Sequence, residues 1–180
     1  MPYAKIMENI LLISWSPKKG NTYRLLSLIA DSTWALTETI LLKDKNIKDC
    51  LWCGFCEKGK WCAIKDDMQE IIQKLSEADI IVLWSPNYFA NVSGMTKKFI
   101  DRLLPMYHSH SLKNKKLFLV MPGASDDDEN RKFLLQGTYG LVDYQEMKLL
   151  WAYGCCTEDK AAAEKRMHDI AKQIAEKISE

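Results

Sequence analysis

Hydrophobic positions along the chain recur with two alternating periods. Residues 9–14, Asn-Ile-Leu-Leu-Ile-Ser, form a short and nearly unbroken apolar run, the pattern of a strand buried on both faces. Residues 22–33 then place Leu25, Leu26, Leu28 and Ile29 on one side of a helix. Residues 35–42 are rich in Thr, Ile and Leu but less apolar, which predicts a second strand at a sheet edge. Behind Asp66 and Asp67, a helix-capping pair, Met68, Ile71, Ile72 and Leu75 return to helical spacing. Residues 78–84 are the most strand-like segment. A helix is predicted from Ser93 or Gly94 to Leu104, with Met95, Phe99, Ile100 and Leu103 inward, stopped by Pro105. Residues 116–121 give a fourth strand, 129–140 a glycine-interrupted helix and 146–153 a fifth strand. Residues 158–178 predict a terminal amphipathic helix, with Ala163, Met167, Ile170, Ala171, Ile174 and Ile178 on one face.

Five strands alternating with helices imply a parallel sheet covered on both faces. Right-handed crossovers reduce the topologies to the doubly wound family. At 180 residues the expectation is one domain over residues 1–180: an α/β, three-layer flavodoxin-like fold with a five-stranded parallel sheet in the order 2-1-3-4-5. Ligands of such sheets sit beyond the carboxyl ends of the strands, where strand order reverses. That places the functional loops after the first, third and fourth strands.

Composition narrows the function classes. Lys and Arg number 25 against 24 Asp and Glu, a net charge of +1, which gives no electrostatic reason to expect nucleic acid or a membrane surface as partner. The apolar run at 10–13 is too short for a signal-peptide core, so a cytoplasmic protein is expected. Four of the six cysteines fall between Cys50 and Cys62. In a reducing compartment that clustering points to metal or redox chemistry rather than disulfides.

Residues 14–22 leave a buried strand and open a helix, whose free N–H groups and positive dipole end suit a phosphate. Ser16, Asn21 and Thr22 add donors and Lys18 or Lys19 adds charge, although the same residue types serve equally as turn and cap residues. Neither G-x-x-x-x-G-K-[ST] nor G-x-G-x-x-G occurs, which disfavours an ATPase or a Rossmann-type dinucleotide domain. Residues 85–94 carry aromatic and amide groups suited to one wall of a flat heteroaromatic site; packing under a loop is the plainer role for Tyr88 and Phe89. Gly123, Ala124 and Ser125 would close the other side. The acidic run from Asp126 to Glu129 would repel a phosphate and reads as a solvated helix start.

The spacing Cys50-x2-Cys53-x2-Cys56-x5-Cys62 is the most distinctive feature. Two-residue gaps let successive sulfurs turn toward one centre, as around a cuboidal iron–sulfur cluster. Zinc fits less well, because structural zinc sites pair two knuckles across a longer insertion. A metal-free loop stays open as a third reading. Trp52 and Trp61 flank the cysteines and are expected to shield them from water. Cys155 and Cys156, after the fifth strand, carry no assigned role, and His108, His110 and His168 read as surface residues.

Residues 14–22 resemble the phosphate loop of the NAD(P)H-dependent FMN reductase and iron–sulfur flavoprotein group, with Ser16, Pro17, Lys19, Gly20, Asn21 and Thr22 matching. Trp15 stands where that group usually has glycine, and Lys18 where arginine is common. Ser-Pro-x-Tyr-x-x-Asn-x-Ser-Gly at 85–94, followed by Lys97, Phe99, Asp101 and Arg102, resembles the group's isoalloxazine-binding loop and following helix. The resemblance spans roughly residues 9–104. It implies an FMN-binding oxidoreductase, with Ser16, Lys18, Asn21 and Thr22 on the phosphate and Pro86, Asn87, Tyr88, Phe89, Asn91, Gly94 and Gly123 around the ring. It further implies NAD(P)H as donor, a flavin, quinone or similar small-molecule electron acceptor, and a homodimer or tetramer. No catalytic acid or base is needed, because the cofactor performs the chemistry. The alternative that the resemblance raises is a relay in which Cys50, Cys53, Cys56 and Cys62 hold a [4Fe-4S] cluster between a ferredoxin-like partner and FMN. A flavin-free thiol sensor is a third possibility, kept open by Trp15.

Overall fold

The computed structural model of the protein describes residues 8–15, 21–33 and 35–179, with side chains throughout except at 21–24. Strands β1 (Asn9–Ser14), β2 (Leu36–Leu41), β3 (Ile80–Trp84), β4 (Lys116–Gly123) and β5 (Lys148–Cys156) form one sheet in the order β2-β1-β3-β4-β5. Every neighbouring pair is parallel. Helices α1 (Asn21–Ser32), α2 (Met68–Glu77), α3 (Gly94–Asp101), α4 (Leu104–Ser109), α5 (Asp127–Val142) and α6 (Lys160–Ser179) cover both faces. This is the flavodoxin-like arrangement expected from the strand and helix periods.

The alternation of side chains along a strand divides the core. Ile10 and Leu12 of β1, with Ile80, Val82 and Trp84 of β3, point toward α1 and α6 and pack on Leu25, Ile29, Ile170 and Ile174. Leu11 and Ile13, with Ile81 and Leu83, point the other way and pack on Ile71 and Leu75 of α2, Phe99 of α3 and Leu134 of α5. All five residues of β3 are buried, which is why that segment reads as an unbroken apolar run.

Three boundaries differ from the sequence expectation. Pro105 does not stop a helix but opens the first turn of α4, where its missing N–H has no carbonyl to serve. The predicted single helix is therefore two, broken at Arg102 and Leu103. Strand β5 runs on to Cys156, so Cys155 and Cys156 lie within it, opposite Pro122 and Gly123. Burial pushes the Cys155 thiol up to about 11. Finally, the carboxylates before α2 divide their work: Asp66 accepts from the Met68 N–H (3.1 Å), whereas Asp67 turns to the Asn46 N–H (2.7 Å).

Asp66 also anchors the long β2–α2 connection. It forms a forked pair with Arg102, at the carboxyl end of α3, with Nη1–Oδ2 at 2.6 Å and Nη2–Oδ1 at 3.0 Å. Both side chains are fully buried. The Lys48 N–H donates to Asp66 (2.8 Å), and the Lys48 carbonyl accepts from Arg102 Nη1 (2.7 Å). Residues 48 and 66 are thus clamped together at the base of the cysteine loop.

Two predictions follow from this packing. Gly154 of β5 lies so close to the Asp127 carbonyl that a Cβ would overlap backbone, with no flexible side chain to give way. Gly154→Ala is expected to cost about 1–3 kcal/mol or more by the overpacking rule, measured by urea unfolding. Burial alone would raise the pKa of Asp66, but the Arg102 hydrogen bonds and charge, with the Lys48 and Met68 N–H groups, outweigh it and hold the carboxyl below its ordinary range. Its stabilisation is therefore complete above the unfolded-state value of about 4 and is lost as pH falls through the lower folded value. Asp66→Asn is expected to cost about 3–5 kcal/mol at neutral pH. The gap between wild type and variant should narrow below pH ~4; a gap that stays constant from pH 7 to 3 would show that the carboxylate charge is not what matters.

Candidate functional site

Strand order reverses between β1 and β3, and the chain leaves both strands on the same edge of the sheet. The Trp15 N–H donates to the Trp84 carbonyl (3.1 Å), carrying the pairing one residue past β1. Trp15 itself is buried in the core beneath α2 and α3. The indole therefore packs inward. Among the described residues, four buried polar atoms at this edge have no hydrogen-bond partner: Ser14 Oγ, Trp15 Nε1, Trp84 Nε1 and Asn87 Oδ1. An unpaired buried polar atom costs about 1–3 kcal/mol. Trp15 and Trp84 belong to the two opposite core layers, whereas Asn87 Oδ1, in the loop after β3, leaves hydrogen-bonding capacity unspent where this fold takes ligands. Residues 16–20, and with them Ser16 and Lys18, lie outside the described residues. Asn21 and Thr22 open α1, and their side chains lie outside the described ones too.

After β3 the chain makes a tight reversal. Asn87 and Val92 form an antiparallel bridge, and the Tyr88 N–H donates to the Asn91 carbonyl (2.9 Å). The two residues at the tip, Phe89 and Ala90, have φ of 53° and 60°. Such a turn normally carries Asn-Gly, and residues with a Cβ pay about 1 kcal/mol or more each to enter this region. Phe89 is fully exposed and Tyr88 about half exposed, at 52%. The strained tip stands on a rigid base. Ser85 Oγ accepts from the Ser93 N–H (3.2 Å) and from Thr96 Oγ1 (2.9 Å), and Ser93 Oγ caps α3 by accepting from the Thr96 N–H. The result is an aromatic platform held out from the sheet edge, of the kind a planar ring can lie against.

The other side of the crevice is organised by Asn130, which the sequence reading did not single out. Its Nδ2 donates to the carbonyls of Ser125 (2.6 Å), Gly123 (3.3 Å) and Cys155 (3.3 Å), and its Oδ1 accepts from Asn87 Nδ2 (2.9 Å). The available signal was its position four and eight residues before Leu134 and Thr138, on the buried stripe of α5. A Cβ on Gly123 would overlap Asn130 Oδ1 and come within 2.6 Å of Asn87 Cβ, so glycine there is a packing requirement. Pro86, Asn87, Tyr88, Phe89, Asn91, Gly94 and Gly123 are thereby gathered at the carboxyl ends of β3 and β4. The acidic run behaves as expected of a helix start: Asp126 accepts from the Glu129 N–H and caps α5, while Asp127 holds Arg166 and the Cys156 N–H.

Cys50, Cys53, Cys56 and Cys62 all line one small cavity of about 20 Å³, closed on its inner side by Asp101, Arg102, Leu104 and Pro105. All four are free thiols, with Cys53 exposed, Cys50 and Cys62 half-buried and Cys56 buried. Burial first, and then the neighbouring Cys62, Cys50 and Cys53, push the Cys56 thiol up. Trp52, between the first two cysteines, has φ of 50°, a further strained residue beside those at Phe89 and Ala90. Trp52 and Trp61 are 77% and 59% exposed, so they do not shield the loop; α4 covers it instead. Soft thiol donors around one space fit iron–sulfur ligation in chemistry. Among the described residues no three His, Cys, Asp or Glu side chains are grouped as for a metal ion. His108 and His110 are exposed and separate, His110 facing Glu146 at 3.5 Å.

One short helix joins the two regions. Helix α3 begins at the base of the aromatic turn and ends at Arg102 under the cysteines. Eight residues at 1.5 Å each make it about 12 Å long.

Known proteins are similar to this chain in sequence and in fold. Residues 9–131 match the family described as NADPH-dependent FMN reductase. The chain is 46% identical over 96 residues to an iron–sulfur flavoprotein of Archaeoglobus fulgidus, covering 52% of this chain and 47% of that one. It is 40% identical over 121 residues to another from Methanocaldococcus jannaschii, covering 64% and 62%. The match thus spans about half to two thirds of the length of these relatives. Among solved structures, an NAD(P)H:quinone oxidoreductase from Methanothermobacter marburgensis superimposes with a TM-score of 0.72 at 10% identity, covering 97% of each chain. An FMN-dependent NADH-azoreductase from Bacillus anthracis, in complex with FMN, gives 0.66 at 12% identity, covering 97% of this chain and 100% of that one. With the match to the family model extending over about two thirds of its length, the chain belongs to the NADPH-dependent FMN reductase family.

Proposed function

We propose that this FMN-binding oxidoreductase carries a [4Fe-4S] cluster on Cys50, Cys53, Cys56 and Cys62 and exchanges electrons between it and FMN. The observation that carries this reading is the placement of a four-cysteine cavity and the aromatic crevice at the two ends of α3. FMN supplies two-electron and one-electron chemistry, and a cluster supplies one-electron steps. The chain's part is to hold and orient them. Tyr88 and Phe89 offer a face to the isoalloxazine ring, and Asn87 offers an unpaired amide oxygen to its polar edge. The helix start at α1, with Ser16, Lys18, Asn21 and Thr22, takes the phosphate. The similarity to proteins named iron–sulfur flavoproteins supports the cysteine assignment. A ferredoxin-like electron partner, a small-molecule acceptor, a homodimer or tetramer and a cytoplasmic setting complete the proposal.

A second reading keeps the flavin and drops the cluster: a reductase that passes electrons from NAD(P)H to a free flavin or quinone. The family match favours it, since the family is described by that activity. Under it the cysteines are a structural or redox-sensing loop.

Absorbance of anaerobically purified protein, with iron and acid-labile sulfide assayed on the same sample, separates the two. Flavin bands with about four iron and four sulfide per chain are expected. Flavin without iron after reconstitution leaves the plain reductase, and neither flavin nor iron overturns both. Phe89→Gly tests the aromatic platform: glycine suits the observed φ and relieves strain, so stability is expected to hold or rise. FMN affinity should nonetheless fall about 5–10-fold, the loss of about 1 kcal/mol of ring contact, read by flavin fluorescence titration. Unchanged affinity would remove Phe89 from the site.

A further inference from the structure

Among the described residues, one charged side chain reaches a loop cysteine: Arg102 Nη2 lies 3.6 Å from Cys62 Sγ. The guanidinium has little freedom to be elsewhere. Nη1 is committed to the Lys48 carbonyl and Asp66 Oδ2, and Nη2 to Asp66 Oδ1. Asp66 is fixed in turn by the N–H groups of Lys48 and Met68. Both side chains are fully withdrawn from water, and Arg102 Nε has no partner among the described residues. A buried ion pair of this kind is often no more stabilising than an apolar replacement. Its retention beneath a cysteine loop therefore invites a role beyond holding the fold. The pair is also polar in a definite direction, with the carboxylate on the side of α2 and an N–H on the side of Cys62. Among the described residues, Cys50, Cys53 and Cys56 have no such donor.

We propose that Arg102, oriented by Asp66, is a positioning residue for the cysteine loop: its N–H fixes Cys62 and raises the reduction potential of the cluster bound there. The inference rests on the iron–sulfur reading above. Its physical basis is general. A hydrogen bond from a cation to a ligating sulfur draws electron density from the cluster and favours the reduced, more negative state. With Arg102 and Asp66 themselves withdrawn from water, that influence is screened less than a surface charge would be. Because Asp66 partly cancels the charge of Arg102, the two residues pull the potential in opposite directions. Cys62 becomes the electron-poor corner of the group, and Arg102, at the end of α3, is the side chain through which the helix sets that corner's position.

The test is a spectroelectrochemical titration of the reconstituted full-length protein, wild type against Arg102→Gln and Asp66→Asn, with iron, sulfide and bound FMN assayed on each sample. Arg102→Gln is expected to shift the cluster midpoint to more negative potential and Asp66→Asn to more positive potential. A purely structural role predicts no shift or shifts of one sign, and either result at full iron content overturns the proposal. Arg102→Lys, which keeps the charge but loses the fork, is expected to shift the midpoint in the same direction as Arg102→Gln but less. It decides the matter if the other variants do not fold, an unchanged midpoint then counting against the proposal. A wild-type protein that binds FMN but takes up no iron overturns the iron–sulfur reading, and this inference falls with it; full iron with unshifted variants overturns the inference alone.

Discussion

A guanidinium removed from water has to be answered by charge and by hydrogen bonds, and the way Arg102 is answered organises the functional half of this protein. It ties together three separate stretches: Lys48 before the cysteines, Asp66 after them, and the end of α3 on which Arg102 itself sits. None of these stretches has a large apolar face of its own between residues 48 and 66. Burying hydrophobic surface, the main source of stability elsewhere, has little to offer such a segment. The segment is instead pinned at its base by directional bonds and covered by α4, and its tip, with Leu51, Trp52 and Trp61, stays open to solvent. Charge pairing thus does for the cysteine loop what the sheet does for the rest of the chain.

The sheet and its two hydrophobic layers were legible from the sequence because they depend on periodicity. Runs such as Ile80 to Leu83 and the spacing of Met68, Ile71, Ile72 and Leu75 report burial directly. What escaped was local and steric. Pro105 reads as a terminator, since proline ends helices as readily as it begins them; only the chain turning at Arg102 and Leu103 shows which. The carboxylates Asp66 and Asp67 read as interchangeable caps, whereas long-range bonds separate their roles.

The candidate site divides in the same way. The cysteine spacing and the aromatic loop were visible as motifs, and the fold places each at the carboxyl edge of the sheet. Asn130 was not visible, because one buried asparagine on an otherwise apolar helix stripe has no meaning until Ser125, Gly123, Cys155 and Asn87 converge on it. The conformation at Phe89 and Ala90 was equally hidden, since nothing in those residue types announces positive φ. Sequence gave away the chemistry of the site and concealed the backbone shape that presents it.

Helix α3 works as a ruler with a built-in angular setting. Each residue in it advances about 1.5 Å and rotates about 100°. Adding or removing one residue between Ser93 and Arg102 would therefore change the spacing between the aromatic turn and the cysteine loop only slightly, yet swing the guanidinium away from Asp66 and Cys62 altogether. Length variation among related chains should accordingly be absent from this helix.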